Sequence, residues 1–483
     1  MSASSALLLP AIRCDANGAF SGESAAIEKA LALGVGGFIL FGGDQERVRA
    51  LTKELRQKSR VPLLIAADLE RGAGQQFSGA TGLPPLAAIA SLGDADAVRR
   101  AARLTAREAR TLGLNWDLAP VCDLDLVPEN PIVGTRSLGA DSRKVAMLAQ
   151  AWIQACQGEG VLACAKHFPG HGRTRTDSHA GMPVVDATRA ELMEHDLAPF
   201  RAAIEVGVAG VMTAHVAYPA LDASGAPATM SREMLQWLLR QQMRFDGLIV
   251  TDAMIMEGAI AEHGEEEAVV RALDAGCDLV LYPNDLEAVA SAIDRAIATH
   301  RLDSGRIQTS LRRRLKWAQW SSPPNEYRRP SGTDVLWGAQ LADRVIHVVH
   351  GAPPVMQAPL DVVIVDDDLG GPYAPPSREA FLDTLFDAGW KARRLDRFDP
   401  ASTNDSVVAL FGETRAWKQR VGYSEAALAA VREACDTRPN TTVFQFGHPR
   451  LAGELRFARG VVSAWGGEAA MQSAAARWIM RAR

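Results

Sequence analysis

Residues 161–172 read Val-Leu-Ala-Cys-Ala-Lys-His-Phe-Pro-Gly-His-Gly, and the chain changes character halfway along them. The first five, Val161–Ala165, are short and apolar, as expected of a strand buried on both faces of a parallel sheet. The stretch from Lys166 to Pro183 then carries Lys166, His167, His171, Asp177 and His179 among glycines and prolines. Ionisable groups just past a buried strand mark the end of a parallel barrel at which such folds keep their chemistry.

The same apolar signature recurs at Leu7–Ile12, Gly37–Phe41, Leu63–Ala67, Leu114–Pro120, Gly210–Ala214, Leu248–Thr251 and Cys277–Tyr282, giving eight runs in all. Between them lie segments such as Asp96–Leu112 and Glu265–Ala275, rich in Ala, Leu, Arg and Glu at helical spacing. Strands alternating with helices predict a parallel α/β fold, and eight such units in about 300 residues match a (β/α)8 barrel. Ser321–Thr333 is rich in proline, serine and charge and reads as a linker, with a helix following at about Val335–His347. Strand and helix patterns then alternate again through Val362–Val365, Ser377–Ala388, Val407–Phe411, Ser424–Ala434, Thr442–Phe446, Val461–Ala464 and Glu468–Met480. The expected organisation is a barrel over 1–320, a linker and connecting helix over 321–348, and a smaller α/β sandwich over 349–483.

The formal net charge of −5 offers no basic field for nucleic acid. No apolar run approaches the roughly 18 residues that span a bilayer. The first ten residues lack a basic flank and read as the first barrel strand rather than a signal peptide. The six cysteines are scattered without a CxxC pair, which fits buried thiols in a reducing cytoplasm. No cofactor is expected: Gly34–Gly37 precedes its strand, the reverse of the dinucleotide-binding order. No metal is expected either. His167, His171, Asp177 and His179 are ligand types, but Pro169-Gly170 breaks the helical spacing a two-histidine zinc motif needs.

Polar groups close four of the runs: Asp68 the third, Lys166 and His167 the fifth, His215 the sixth and Asp252 the seventh. Four strand ends of this kind point to one shared pocket. Asp252, directly after Gly-Leu-Ile-Val-Thr, is suited to act as nucleophile or base; the competing role is a helix N-cap for Met254–Ala261. Asp177 beside His179 could orient an imidazole for proton transfer near neutral pH; the competing role is turn formation.

These motifs resemble glycoside hydrolase family 3, in particular its bacterial β-N-acetylhexosaminidases of the cell-wall recycling type. Lys166–Gly172 followed by Asp177-Ser178-His179 is the most specific part. Asn130–Gly139 resembles the arginine-bearing loop, Ala209–His215 and Pro227–Ser231 resemble further family segments, and Val250–Gly258 resembles the nucleophile segment. The tail, with Phe446-Gly-His-Pro and Ala464–Glu468, is similar to the family's αβα domain. The resemblance implies a retaining exo-β-N-acetylglucosaminidase with Asp252 as nucleophile and His179, oriented by Asp177, as acid/base. It implies that Asp68, Arg136, Lys166 and His167 hold the sugar, and that the substrate is a small oligosaccharide or muropeptide. With the dyad in the barrel segment, the C-terminal domain is expected to supply no catalytic group. Three positions depart from the family pattern: Gln76 stands where an arginine is usual, Ala253 replaces a second aspartate, and Phe41-Gly-Gly-Asp44 replaces Phe-Xaa-Arg-Asn. They leave open a β-glucosidase or broad β-glycosidase, including a phosphorolytic one, and a sugar-binding protein without activity.

Overall fold

A computed structural model describes residues 3–175, 181–321, 329–369, 375–414, 418 and 420–481. Asp177 and His179 lie outside the described residues. The chain forms two compact units. One comprises 1–81, 95–127 and 137–331, and the other 82–94, 128–136 and 332–483.

The first unit is built on one parallel sheet whose strands are β1 (Leu8–Leu9), β2 (Ala11–Arg13), β3 (Gly37–Phe41), β4 (Leu64–Ala67), β5 (Trp116–Asp117), β6 (Leu162–Phe168), β7 (Gly210–Thr213), β8 (Leu248–Ala253) and β9 (Leu279–Leu281). The first apolar run is divided because Pro10 has no N–H to give to a ladder. β1 pairs with β9 and β2 pairs with β3, so this one run joins the two ends of the sheet and closes the barrel. Strands β3, β4, β6 and β7 are buried almost throughout, as expected of strands covered on both faces.

Helices start where the sequence supplies a cap. Asp44 accepts from the backbone of Glu46 and Arg47, and Asp141, Asp285 and Asp303 cap three further helices in the same way. The departure at Phe41–Asp44 thus retains a helix-capping carboxylate. The helix Ala95–Thr111 turns Ala97, Val98, Ala101, Ala102, Ala106 and Ala109 into the core, the stripe expected of its spacing. No described helix is long and apolar enough to cross a membrane.

The second unit carries a six-stranded sheet in the order β10 (His347–Gly351), β15 (Gly460–Ser463), β14 (Thr442–Phe446), β13 (Asp405–Phe411), β11 (Leu360–Asp366) and β12 (Ala392–Leu395). All neighbours are parallel except the edge pair β10–β15. Apolar clusters on both faces, one including Phe381, Phe444 and Met471 and the other Val408, Val431 and Val461, make it a three-layer αβα sandwich.

The unit boundary differs from the sequence expectation. The helix Gly332–Val345 was expected as a connector, but Ala342 and Val345 belong to the second unit's core and Asp343 pairs with Arg477 and Arg481. Segments 82–94 and 128–136, expected within the barrel, also belong to the second unit. Helix Leu86–Ser91 brings Ala88 into that unit's core.

Candidate active site

Four of the expected residues, Asp68, Lys166, His167 and Asp252, lie at strand ends of the first unit. Asp68 follows β4 directly. Lys166 and His167 lie within the last turn of the ladder of β6, which runs on through Phe168 rather than stopping at Ala165 as its apolar run suggested. Asp252 likewise lies inside β8, not after it.

Lys166 is 1% exposed, and its ammonium sits 2.6 Å from Asp68 Oδ1 and 2.8 Å from Glu70 Oε1. A buried lysine is stable only when paired, and here one cation joins two carboxylates. Glu70 is almost fully buried, whereas Asp68 keeps 28% of its side chain open. The lysine thus holds Asp68 from behind and leaves its outer face for a ligand.

His167 donates through Nδ1 to Asp123 Oδ2 at 2.6 Å, and its Nε2 lies 3.9 Å from Asp252 Oδ2. Asp123 is fully buried, and its second oxygen accepts the backbone N–H groups of His167 and His171. Burial opposes its ionisation, but His167 and then His171 outweigh that and hold the carboxyl below its usual range. Asp252 Oδ1 accepts from the backbone N–H of Ala253 at 2.8 Å, which orients the carboxylate; 21% of the side chain stays exposed.

His215, grouped with the pocket residues in the sequence, is 1% exposed and lies behind β8. Its Nε2 is 3.2 Å from Ala253 O and its Nδ1 2.8 Å from Thr229 Oγ1. Burial lowers its pKa, so it is a neutral brace under the segment that presents Asp252. His171 is also buried, its pKa pushed down to about 4 by burial, and its Nδ1 meets Thr174 Oγ1.

The described residues on either side of 176–180 are held to the first unit by several contacts. Tyr218 Oη donates to Gly170 O, and Arg173 pairs with Asp196. A Cβ on Gly172 would lie 1.8 Å from Leu124 O, so only glycine permits this approach. On the far side, Val184 bridges Ala217, and Val185 N donates to Ala217 O.

Arg136 ends a short turn, Gly134–Arg136, in the second unit, where its N–H bonds Val133 O. It is not among the residues that the first unit brings together. Sequence reading missed Glu70 and Asp123. Glu70 lies two positions after Asp68, the spacing that returns an extended chain to the same side. Asp123 lies past the fourth run; the chain beyond β5 stays beside β6, with Val121 bridging Lys166, and so delivers Asp123 to His167.

Beneath this cluster, Asp117 on β5 is fully buried, with Trp152 Nε1 3.2 Å from its Oδ2. Burial pushes its carboxyl up to about 7, against the opposing pull of Lys166. The folded state therefore holds a proton that the unfolded chain releases near pH 4. Stability from this group is full below pH 4, is lost as pH rises to about 7, and is level above. Asp117→Asn is expected to remove that dependence. Relative to the variant, wild-type protein should lose up to about 4 kcal/mol between pH 4 and pH 8, measured by urea unfolding at each pH. A wild-type-to-variant difference constant across that range would contradict it.

Residues 19–316 match the family model described as the glycosyl hydrolase family 3 N-terminal domain. The chain is 40% identical over 263 residues to a β-hexosaminidase of Thiobacillus denitrificans, covering 52% of this chain and 72% of that one. It is 33% identical over 404 residues to a Cellulomonas fimi protein named β-N-acetylglucosaminidase/β-glucosidase, covering 78% and 71%. A family 3 β-N-acetylglucosaminidase structure from Paenibacillus sp. superposes with a TM-score of 0.84 at 26% identity, over 99% of this chain and 95% of that one. A β-glucoside phosphorylase, at 21% identity and TM-score 0.83, covers 99% and 91% and shares the fold.

Proposed function

Since this chain belongs to glycoside hydrolase family 3, we propose that it is a retaining exo-β-N-acetylglucosaminidase acting on short β-GlcNAc-terminated oligosaccharides or muropeptides. The supporting observation is the placement of the Asp252 carboxylate 3.9 Å from His167 Nε2, at the barrel end that also holds the Lys166–Asp68 pair. Asp252 attacks the anomeric carbon while His179, oriented by Asp177, gives its proton to the departing oxygen. His179 then takes a proton from water, which attacks the same carbon and frees Asp252. Asp68, Lys166 and His167 hold the sugar hydroxyls. The transition state resembles an oxocarbenium cation. The partly open carboxylates of Asp68 and Asp252 at this barrel end favour such a charge.

The second unit supplies no acid/base in this scheme. A cytoplasmic location and a role in cell-wall recycling belong to the same proposal.

A β-glucoside substrate is the second reading, favoured by the double name of the Cellulomonas relative and by Gln76 in place of an arginine. Aryl β-GlcNAc and aryl β-glucoside compared side by side, in phosphate and in phosphate-free buffer, decide between them. The GlcNAc substrate should turn over faster; a faster glucoside would sink the assignment. Sugar 1-phosphate appearing in phosphate buffer would make the enzyme a phosphorylase. His179→Ala should slow substrates with poor leaving groups by about 10³-fold and activated aryl glycosides far less. Equal losses on both would remove His179 as the acid.

A further inference from the structure

Asp123 engages both faces of its carboxylate with one short stretch of chain. Oδ1 accepts the N–H groups of His167 at 3.1 Å and His171 at 2.7 Å, and Oδ2 lies 2.6 Å from His167 Nδ1. Its own backbone is fixed in turn, because Ser137 Oγ donates to Asp123 O at 2.7 Å. An ionised carboxylate has no proton to give, so Nδ1 of His167 must be the donor. The opposite ring edge, Nε2, faces Asp252. We propose that Asp123 is a positioning residue for catalysis: by clamping the backbone on either side of Phe168-Pro169-Gly170 and the Nδ1–H of His167 together, it dictates which ring nitrogen, in which protonation form, meets Asp252 and the sugar.

The proposal rests on the glycosidase reading for its kinetic consequence and on the clamp geometry for its chemical one. Asp123 itself is fully buried, so it acts through the groups it holds. The distinction from a merely structural tie lies in the proton. Asp123→Asn is nearly isosteric, but the asparagine must turn its oxygen toward the two backbone N–H donors. Its amide NH2 then faces Nδ1, which becomes an acceptor, and the ring proton moves to Nε2. The variant therefore keeps the loop tied down and reverses the tautomer. A reversed tautomer at a well-built site costs orders of magnitude in turnover elsewhere.

The test combines a double-mutant cycle with ¹⁵N-histidine NMR on the full chain. Asp123→Asn should lower kcat on an aryl β-GlcNAc by about 100-fold or more, with little change in KM. In a His167→Gln background the same substitution should change activity less than about threefold, because the ring it acts through is gone. NMR should show the His167 proton on Nδ1 in wild-type protein and on Nε2 in Asp123→Asn. Equal losses in both backgrounds would make Asp123 a structural tie and overturn the proposal. So would a wild-type ring with Nδ1 bare, a result that needs no folded variant. If wild-type protein turned over no β-GlcNAc substrate, the function reading would fall, while the tautomer would still decide the role of Asp123.

Discussion

Asp252→Asn is expected to lower kcat by about 10⁴-fold or more while leaving the folded protein intact. The amide is close in shape to the carboxylate, so it can keep the bond from Ala253 N to Oδ1. The side chain is partly open rather than packed, so little stability is at stake. What the amide cannot do is attack an anomeric carbon and leave again as a stabilised anion. Asp252→Gly should show the same loss and regain turnover with added azide. The azide would enter the space vacated by the carboxylate and give the α-glycosyl azide from a β-glycoside. Residual kcat within tenfold of wild type in Asp252→Asn, or a β-azide from Asp252→Gly, would remove Asp252 as the nucleophile.

Lys166→Met should damage both activity and stability, for separable reasons. The methionine fills much of the lysine's volume but removes the ammonium 2.8 Å from Glu70, which is almost fully buried. Removing one partner of a buried pair costs about 3–5 kcal/mol. Loss of that ammonium removes a favourable charge partner from a buried carboxylate, so the variant should be less impaired in acid than at neutral pH. Adding Glu70→Gln removes the buried charge that Lys166 balanced, so the double variant should recover most of the stability. It should not recover activity, because Asp68 still lacks the ammonium 2.6 Å from Oδ1. Urea unfolding and kcat/KM measured on both variants check this. Activity returning along with stability would show that Lys166 serves only the fold.

The barrel was legible because its strands are buried on both sides and read as unbroken apolar runs, whereas its helices read as amphipathic ones. What escaped notice had physical reasons. Strand β12 is Ala-Arg-Arg-Leu and β10 is His-Val-Val-His-Gly; both are sheet edges, where charge and exposure replace the apolar signature. Segments 82–94 and 128–136 join the second unit through tertiary packing, which leaves no trace in local periodicity. Within the site, Asp68, Lys166, His167 and Asp252 announced themselves as polar endings of apolar runs. Asp123 and Glu70 sit deeper, past the points at which those runs stop, and only the pairing of neighbouring strands shows what they hold. His215 shows the converse. It ends a run as the others do, yet its ring is turned inward to brace Ala253.

The most direct measurement is to trap the intermediate. Wild-type protein incubated with a 5-fluoro-β-GlcNAc fluoride, denatured and digested, should yield one peptide carrying the fluorosugar, attached at Asp252 in the Val250–Met256 segment. Attachment at any other side chain, or turnover of the reagent with no glycosyl-enzyme accumulating and with inverted product stereochemistry, would contradict the account.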